Sequence, residues 1–208
     1  MILDSHTHRL EAQQAIINVS PAQFNPQPGK TYAVGIHPWH SAHANAETMQ
    51  LLRQAAAHRQ VVAIGETGLD ALRGAPLERQ QQLFDFHISL AEQWGKPLVV
   101  HMVRTSQQVL KAWRHSQQSV KVMIHGMRSN ERVAQPLIEA GFYLSYGSRF
   151  NPRTLHTTPL DHLLVETDDD PNARIDQVAQ VIARYLGMTV QELLQLAAIN
   201  THNFLSKH

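Results

Sequence analysis

Short apolar runs recur along the whole chain, each bounded by turn residues: MIL at 1–3, AIINV at 15–19, AVGI at 33–36, VVAIG at 61–65, PLVV at 97–100, VMI at 122–124, FYLSY at 142–146 and LLV at 163–165. Their near-continuous hydrophobicity predicts strands buried on both faces of a parallel sheet, because an antiparallel sheet with one wet face alternates apolar and polar positions. Helical periodicity fills several of the intervals. It predicts helices over 48–58, 76–94, 105–115 and 131–140, with Leu83, His87, Leu90 and Trp94 on one stripe of the second. Nearer the C-terminus Ile175, Val178, Ile182 and Leu186 form a stripe that Gly187 stops. Thr189 with Glu192 then reads as a capping box for a last helix to Phe204.

Eight strands alternating with helices predict an α/β fold, a TIM-like (β/α)8 barrel. The segment SPAQFNPQPGK after the second run and NPRTLHTTP after the seventh lack a helical period. The 208 residues also fall short of the roughly 250 typical of such barrels. The expectation is therefore a reduced barrel with helices missing beside strands two and seven, and a single domain over 1–208, since no repeat or linker-like tract interrupts the chain. Trp94 and Trp113 fall on predicted helices and are expected in the core.

The polar residues cluster where the apolar runs end. The first run leads into DSHTH, the third into HPWH, the fourth into GETGLD, the fifth into HMVR, the sixth into HGMR and the eighth into ETDDD. Histidines two apart cannot share a helix face, but on a strand both rings point the same way. In a parallel barrel the C-terminal strand ends converge on one mouth, where active sites of this fold lie. Six side chains there suit divalent metal: His6, His8, Glu66, His101, His125 and Asp168. Four imidazoles and two carboxylates exceed one tetrahedral ion and suit two ions sharing a carboxylate, with zinc, manganese or magnesium as the metals.

Composition narrows the chemistry further. With 18 Lys and Arg against 17 Asp and Glu the formal charge is +1, so no whole-molecule field draws nucleic acid or an anionic membrane, and any basic site must be local. There is no Cys, which excludes thiol catalysis and thiolate-held zinc, while the 14 histidines stand out. The chain turns polar at Asp4 and contains no apolar run of membrane-span length, so neither a secretory signal nor a membrane partner is expected, and the cytoplasm is the expected compartment.

In order along the chain, DSHTH, VGIHPW, AIGETGLD, KPLVVH, IHGMR, FYLSYG, LLVETDDD and QELLQLAAINTHNFL resemble the TatD-type metal-dependent hydrolases, in particular their compact members. The resemblance implies that His6, His8 and Asp168 bind one metal, that His101 and His125 bind the second, and that Glu66 bridges them. It also implies a deoxyribonuclease working from the 3′ end of single strands. Where longer members carry HSRDA and HCFSG this chain reads HMVRT and HGMRS, a departure that leaves the ligands in place and bears on substrate specificity.

Two ions a few ångströms apart lower the pKa of a water between them and clamp the charge of an in-line displacement. Asp168 is the expected catalytic residue, orienting that water and taking its proton. Arg104 and Arg128, each three residues beyond a ligand histidine, are expected to clamp phosphate at the ends of DNA or on a small phosphodiester. His37 is a candidate donor to the attacked group. Trp39 reads either as a face for a nucleobase or as packing under a loop. Asp4 is expected to accept a hydrogen bond from a ligand histidine and set its tautomer. Glu166 shares the strand face of Asp168 and reads equally as a buried structural partner. Two other functions fit the same ligands: a small-molecule amidohydrolase or lactonase, and a noncatalytic metal-bound component of an assembly.

Overall fold

The computed structural model describes residues 1–206. Among these residues eight strands, β1 (Asp4–Thr7), β2 (Ala15–Val19), β3 (Thr31–Val34), β4 (Val61–Asp70), β5 (Leu98–Val103), β6 (Val122–Ile124), β7 (Tyr143–Tyr146) and β8 (Leu163–Val165), pair in sequence order, all in parallel. The ring closes through backbone just past β8. Thr7 bridges Asp168, the Asp168 N–H donates to the His6 carbonyl at 2.9 Å, and the His8 N–H donates to the Asp168 carbonyl at 3.2 Å.

The first strand lies one step later than the apolar run MIL. Backbone bonding decides this: Leu3 and Asp4 both donate to the Gln14 carbonyl, and Asp4 and Thr7 pair with Ala15 and Ile17 of β2. The four residues of β1 are polar yet all buried, and the side chains of Asp4, Ser5 and Thr7 find hydrogen-bond partners. Ser5 bonds the Ser145 hydroxyl at 2.7 Å and the Val165 carbonyl at 2.9 Å, and the Thr167 hydroxyl donates to Asp4 at 2.6 Å. β4 and β5 run past their apolar stretches, so Glu66 and His101 sit within strands.

Seven α-helices accompany the strands among the described residues: α1 (Ala46–Ala56), α2 (Leu77–Trp94), α3 (Ser106–Arg114), α4 (Glu131–Glu139), α5 (Pro152–Thr157), α6 (Ile175–Leu186) and α7 (Val190–Leu205). The gap expected after β2 holds only a 3-10 turn, Pro21–Gln23. The gap expected after β7 holds the short α5. Its cap explains it: the Asn151 side chain accepts from the Arg153 and Thr154 N–H groups, and Pro152 needs no donor in the first turn. The Thr189 capping box and the Gly187 stop form as the sequence implies. Trp113 is core, whereas Trp94 is 37% exposed, because it is the last residue of α2 and Gly95, at φ +58, turns the chain away there. His87 is core as well. Its Nδ1–H donates to the Leu83 carbonyl, its Nε2 accepts the Ile36 N–H, and burial pushes its pKa down to about 4, so a neutral ring ties α2 to the end of β3.

Inside the barrel Ile16, Ala33, Ala63, Val99, Met123, Tyr143 and Leu164, one from each of β2 to β8, pack against Phe204 of α7. The larger of these, Ile16, Val99, Met123, Leu164 and Phe204, each contribute about 1.5–3 kcal/mol. Two residues further along five of these strands the same face carries Asn18, His101, His125, Ser145 and Glu166, so period two converts an apolar plug into a polar floor. Only β4 breaks the parity. From Ala63 to Glu66 is three residues, and the register with β5 slips between Ile64 and Thr67. Gly65 makes the slip feasible: its φ is +148, and a Cβ there would collide with the Val99 carbonyl and sit 2.8 Å from the Val99 Cβ.

Candidate metal centre

Glu66 is 2% exposed and each of its carboxylate oxygens faces a separate group of nitrogens. Oε1 lies 2.8 Å from His125 Nε2, 2.9 Å from His37 Nε2 and 3.0 Å from His101 Nδ1. Oε2 lies 3.1 Å from Asn18 Nδ2, 3.2 Å from His8 Nε2 and 3.4 Å from His6 Nε2. Asp168 completes the second group, its Oδ1 being 3.4 Å from His6 and 3.8 Å from His8. The closure of the barrel places it there, since the peptide groups that join β1 to Asp168 also hold its carboxylate beside the two imidazoles. Asp168 sits at φ +55, a conformation Asp tolerates better than most residues.

This packing needs positive charge. His6 is fully buried, and among the described residues both its ring nitrogens lack a hydrogen-bond partner, as do Nδ1 of His125 and Oε2 of Glu166. Burial alone would raise the Glu66 pKa, but His125, His101 and His37 hold it well below the usual carboxylate range. Burial likewise works to raise Asp168, and His6 and His125 hold it low. Burial and His125 depress His6, yet Asp168 and Glu66 lift it to about 9; burial also depresses His125, and Glu66 and Glu166 lift it well above its ordinary value. Without a cation the centre holds protons. Imidazole and carboxylate donors around a shared carboxylate are also what divalent ions take, and several triads here lie close enough to hold one: His6, His8 and Asp168; His6, Glu66 and His125; His37, Glu66 and His101.

The His6 pKa is raised from its ordinary 6.5 to about 9, so its protonated pairing stabilises the metal-free fold fully below 6.5 and is lost as pH rises through about 9. A metal needs the bare nitrogen. Loading stripped protein near neutral pH is therefore expected to release protons, and apparent affinity is expected to rise with pH across that window. Calorimetry in two buffers of different ionisation enthalpy checks it; equal heats in both would contradict it.

The remaining predicted residues divide. His37 joins the cluster, as above. Trp39 is 41% exposed beside it, its indole N–H donating to Asp70 Oδ2 at 2.6 Å and the Arg73 guanidinium 4.5 Å over its ring. Asp4 contacts no imidazole: its bonds come from the Thr167 N–H and hydroxyl and from the His6 backbone N–H, because the β1 pleat turns its carboxylate toward the turn after β8. Glu166 is fully buried, accepts the Gly126 N–H at 2.7 Å and lies 3.6 Å from His125 Nδ1. Arg128 is exposed, with Nη2 3.9 Å from Asp168 Oδ2. Arg104 is exposed at φ +56 and, like Arg128, is absent from the cavity lining; unlike Arg128 it has no contact with Asp168.

Two further residues belong to the centre, Asn18 and Asp70. Asn18 was hidden in an apolar run, although a lone amide at strand parity with Ile16 is a signal. Asp70 ends GETGLD and meets His101 Nε2 at 3.0 Å, a contact that crosses from β4 to β5.

The family model described as TatD related DNase matches residues 19–206. The chain belongs to this TatD family. Similar proteins are named as metal-dependent hydrolases, themselves uncharacterized: one called TatD from Mycobacterium tuberculosis is 32% identical over 149 residues, which is 65% of this chain and 56% of that protein. YcfH from Escherichia coli K12 is 29% identical over 194 residues, 83% of this chain and 71% of its own length. Among solved structures, the TatD homologue YjjV from E. coli K12 superposes with a TM-score of 0.80 at 23% identity, covering 91% of this chain and 85% of that one. A TatD family hydrolase from Entamoeba histolytica gives 0.79 at 13%, covering 98% and 97%. These likenesses show the fold, a TatD-type barrel.

In this TatD family member a cavity of about 570 Å³ opens over the centre. Its floor includes His8, Glu66, His101, His125 and Asp168, and it runs toward the side beyond β2, past Gln23 of the 3-10 turn, His43 and Thr48 of α1. No Lys or Arg lines it among the described residues, and no helix among them is long and apolar enough to cross a membrane.

Proposed function

We propose that the protein is a dinuclear metal-dependent phosphodiesterase that trims single-stranded DNA from its 3′ end. The observation that carries the reading is Glu66, whose two oxygens face two separate ligand groups, His101 and His125 on one side and His6, His8 and Asp168 on the other. Divalent ions bound there would supply charge neutralisation at the phosphoryl group and an acidified water. Asp168, kept ionised, takes the proton of the attacking water through the carboxylate edge that faces the cavity. The His37 Nε2–H donates to a phosphoryl oxygen that displaces its contact with Glu66. Arg128, beside Asp168 at the rim, meets the next phosphate, while Arg104 stays outside. The 3-10 turn in place of a helix after β2 leaves a side open to a strand end.

The absence of Lys and Arg from the cavity lining favours a second reading, an amidohydrolase or lactonase acting on a compact neutral substrate. One assay separates them: release of label from a 3′-labelled single strand by stripped protein reloaded with Mg²⁺, Mn²⁺ or Zn²⁺. Metal-dependent release is expected, slowed about 10²–10⁴-fold in Asp168→Asn, the range for losing a positioned proton acceptor. Metal-loaded protein that leaves the strand intact would move the assignment to lactones and amides.

A further inference from the structure

His37 and His101 crowd the same oxygen of Glu66, and the nitrogen each presents to it is different. His37 presents Nε2 and His101 presents Nδ1, and these two nitrogens are themselves only 3.3 Å apart. Two bare nitrogens there would repel each other and the carboxylate, and two protonated ones would compete for it. We infer that Trp39 sorts the pair, holding His37 as a hydrogen-bond donor through its backbone and His101 as a metal ligand through its indole and Asp70. The ligand half of this rests on the metal-dependent reading above.

Each half stands on a partner that cannot reverse, a backbone donor for His37 and a carboxylate acceptor for His101. The Trp39 backbone N–H donates to His37 Nδ1 at 3.1 Å, so Nδ1 must be the bare nitrogen and the proton must sit on Nε2, facing the centre. His37 thus offers an N–H and no lone pair toward Glu66. On the other ring two carboxylates can accept, Asp70 at Nε2 and Glu66 at Nδ1, each 3.0 Å away. The Glu66 oxygen is already shared with His37 and His125, so the proton of the neutral ring belongs to Nε2 beside Asp70, and Nδ1 is the nitrogen offered to the centre. The same Asp70 oxygen takes the Trp39 indole N–H, which can only donate. The other oxygen accepts the Leu72 and Arg73 N–H groups at 2.8 and 3.1 Å, so the carboxylate cannot swing away. Gln80, 1% exposed on α2, accepts the Asp70 N–H and donates to the carbonyls of Asp70, Arg73 and Ala75, while the Arg73 side chain returns to cover the indole. His125 and His6 have no comparable carboxylate within hydrogen-bond distance on their far nitrogens. Trp39 and Asp70 are therefore positioning residues, acting through the two rings.

The test reads the rings directly. Nitrogen-15 spectra of metal-free protein at alkaline pH are expected to place the proton on Nε2 in both His37 and His101. Asp70→Asn should mix the His101 tautomers and leave His37 as it was. Trp39→Phe, which removes the indole N–H but keeps the backbone N–H, should do the same more weakly. Titration with Mn²⁺ followed by calorimetry is expected to show about 10- to 100-fold weaker binding in Asp70→Asn, the usual loss when a partner of a ligand histidine is removed. Circular dichroism confirms that each variant is folded, and Asp70→Glu, which restores an acceptor, should recover part of the affinity. A His101 proton on Nδ1 in the wild type, or a folded Asp70→Asn with unchanged tautomer and affinity, would overturn the sorting. Wild-type protein that binds no Mn²⁺ while showing both Nε2 protons would instead overturn the metal reading and the ligand half with it.

Discussion

Glu66→Gln is expected to strip the centre, leaving a folded protein that loses most of its bound divalent ion and whose hydrolysis falls roughly a hundred- to a few-thousand-fold, the equivalent of the about 3–5 kcal/mol for breaking a buried charge pair. The side chain keeps its size and loses its symmetry of function. Both oxygens now face nitrogens, three imidazoles on one side and two imidazoles with the Asn18 amide on the other. Whichever end carries the new NH₂, it points a donor at the Asn18 amide N–H or at the His37 N–H, and no anion remains to share between the two groups. Metal content after gel filtration and hydrolysis of the substrate used above check this together. A variant retaining both would remove Glu66 from the role of shared ligand.

Chelation is expected to produce the largest change in stability. The metal-free centre packs four buried or half-buried imidazoles around two carboxylates and compensates with protons, at a desolvation cost that an ion relieves. A ligand present at a hundred to a thousand times its Kd adds about 2.7–4.1 kcal/mol to the folded state. For a chain of this size each kcal/mol moves Tm by about 2–4 °C, so adding Zn²⁺ or Mn²⁺ to stripped protein should raise Tm by roughly 5–16 °C. The gain should grow between pH 6.5 and about 9, where the protonated pairing of His6 is lost. Differential scanning calorimetry with and without metal at the two ends of that window measures it, and a Tm indifferent to metal at both would mean that the cluster is held by protons alone.

Asp168 links these two expectations to the fold. Its backbone seals the barrel against β1 and its side chain completes the cluster, so its carboxylate can be changed to an amide without touching the seal. That separation is why Asp168→Asn is expected to fold while hydrolysis slows, whereas a substitution on β1 itself would disturb Asp4, Ser5 and Thr7, each bonded to the segment around β8.

What the sequence by itself determined were the properties carried by local period and local capping. The parallel strands, the α6 stripe with its Gly187 stop, the Thr189 capping box, and the placing of His6, His8, His101, His125 and Asp168 at one end of the barrel all follow from periods of two and 3.6 and from residue chemistry. The tertiary structure alone decided what depends on a neighbouring strand or on closure. It moved β1 from MIL to the polar DSHT, because backbone pairing with β2 outranks hydrophobicity. It turned Glu66 inward against parity through the slip at Gly65, and it added Asn18 and Asp70 to the centre. It also left Arg104 outside, turned Asp4 away from the rings, and brought Trp39 to a carboxylate 31 residues away. The physical reason is range: a period is written in consecutive side chains, whereas these contacts form only when strands distant in sequence are set about 4.8 Å apart in a closed ring.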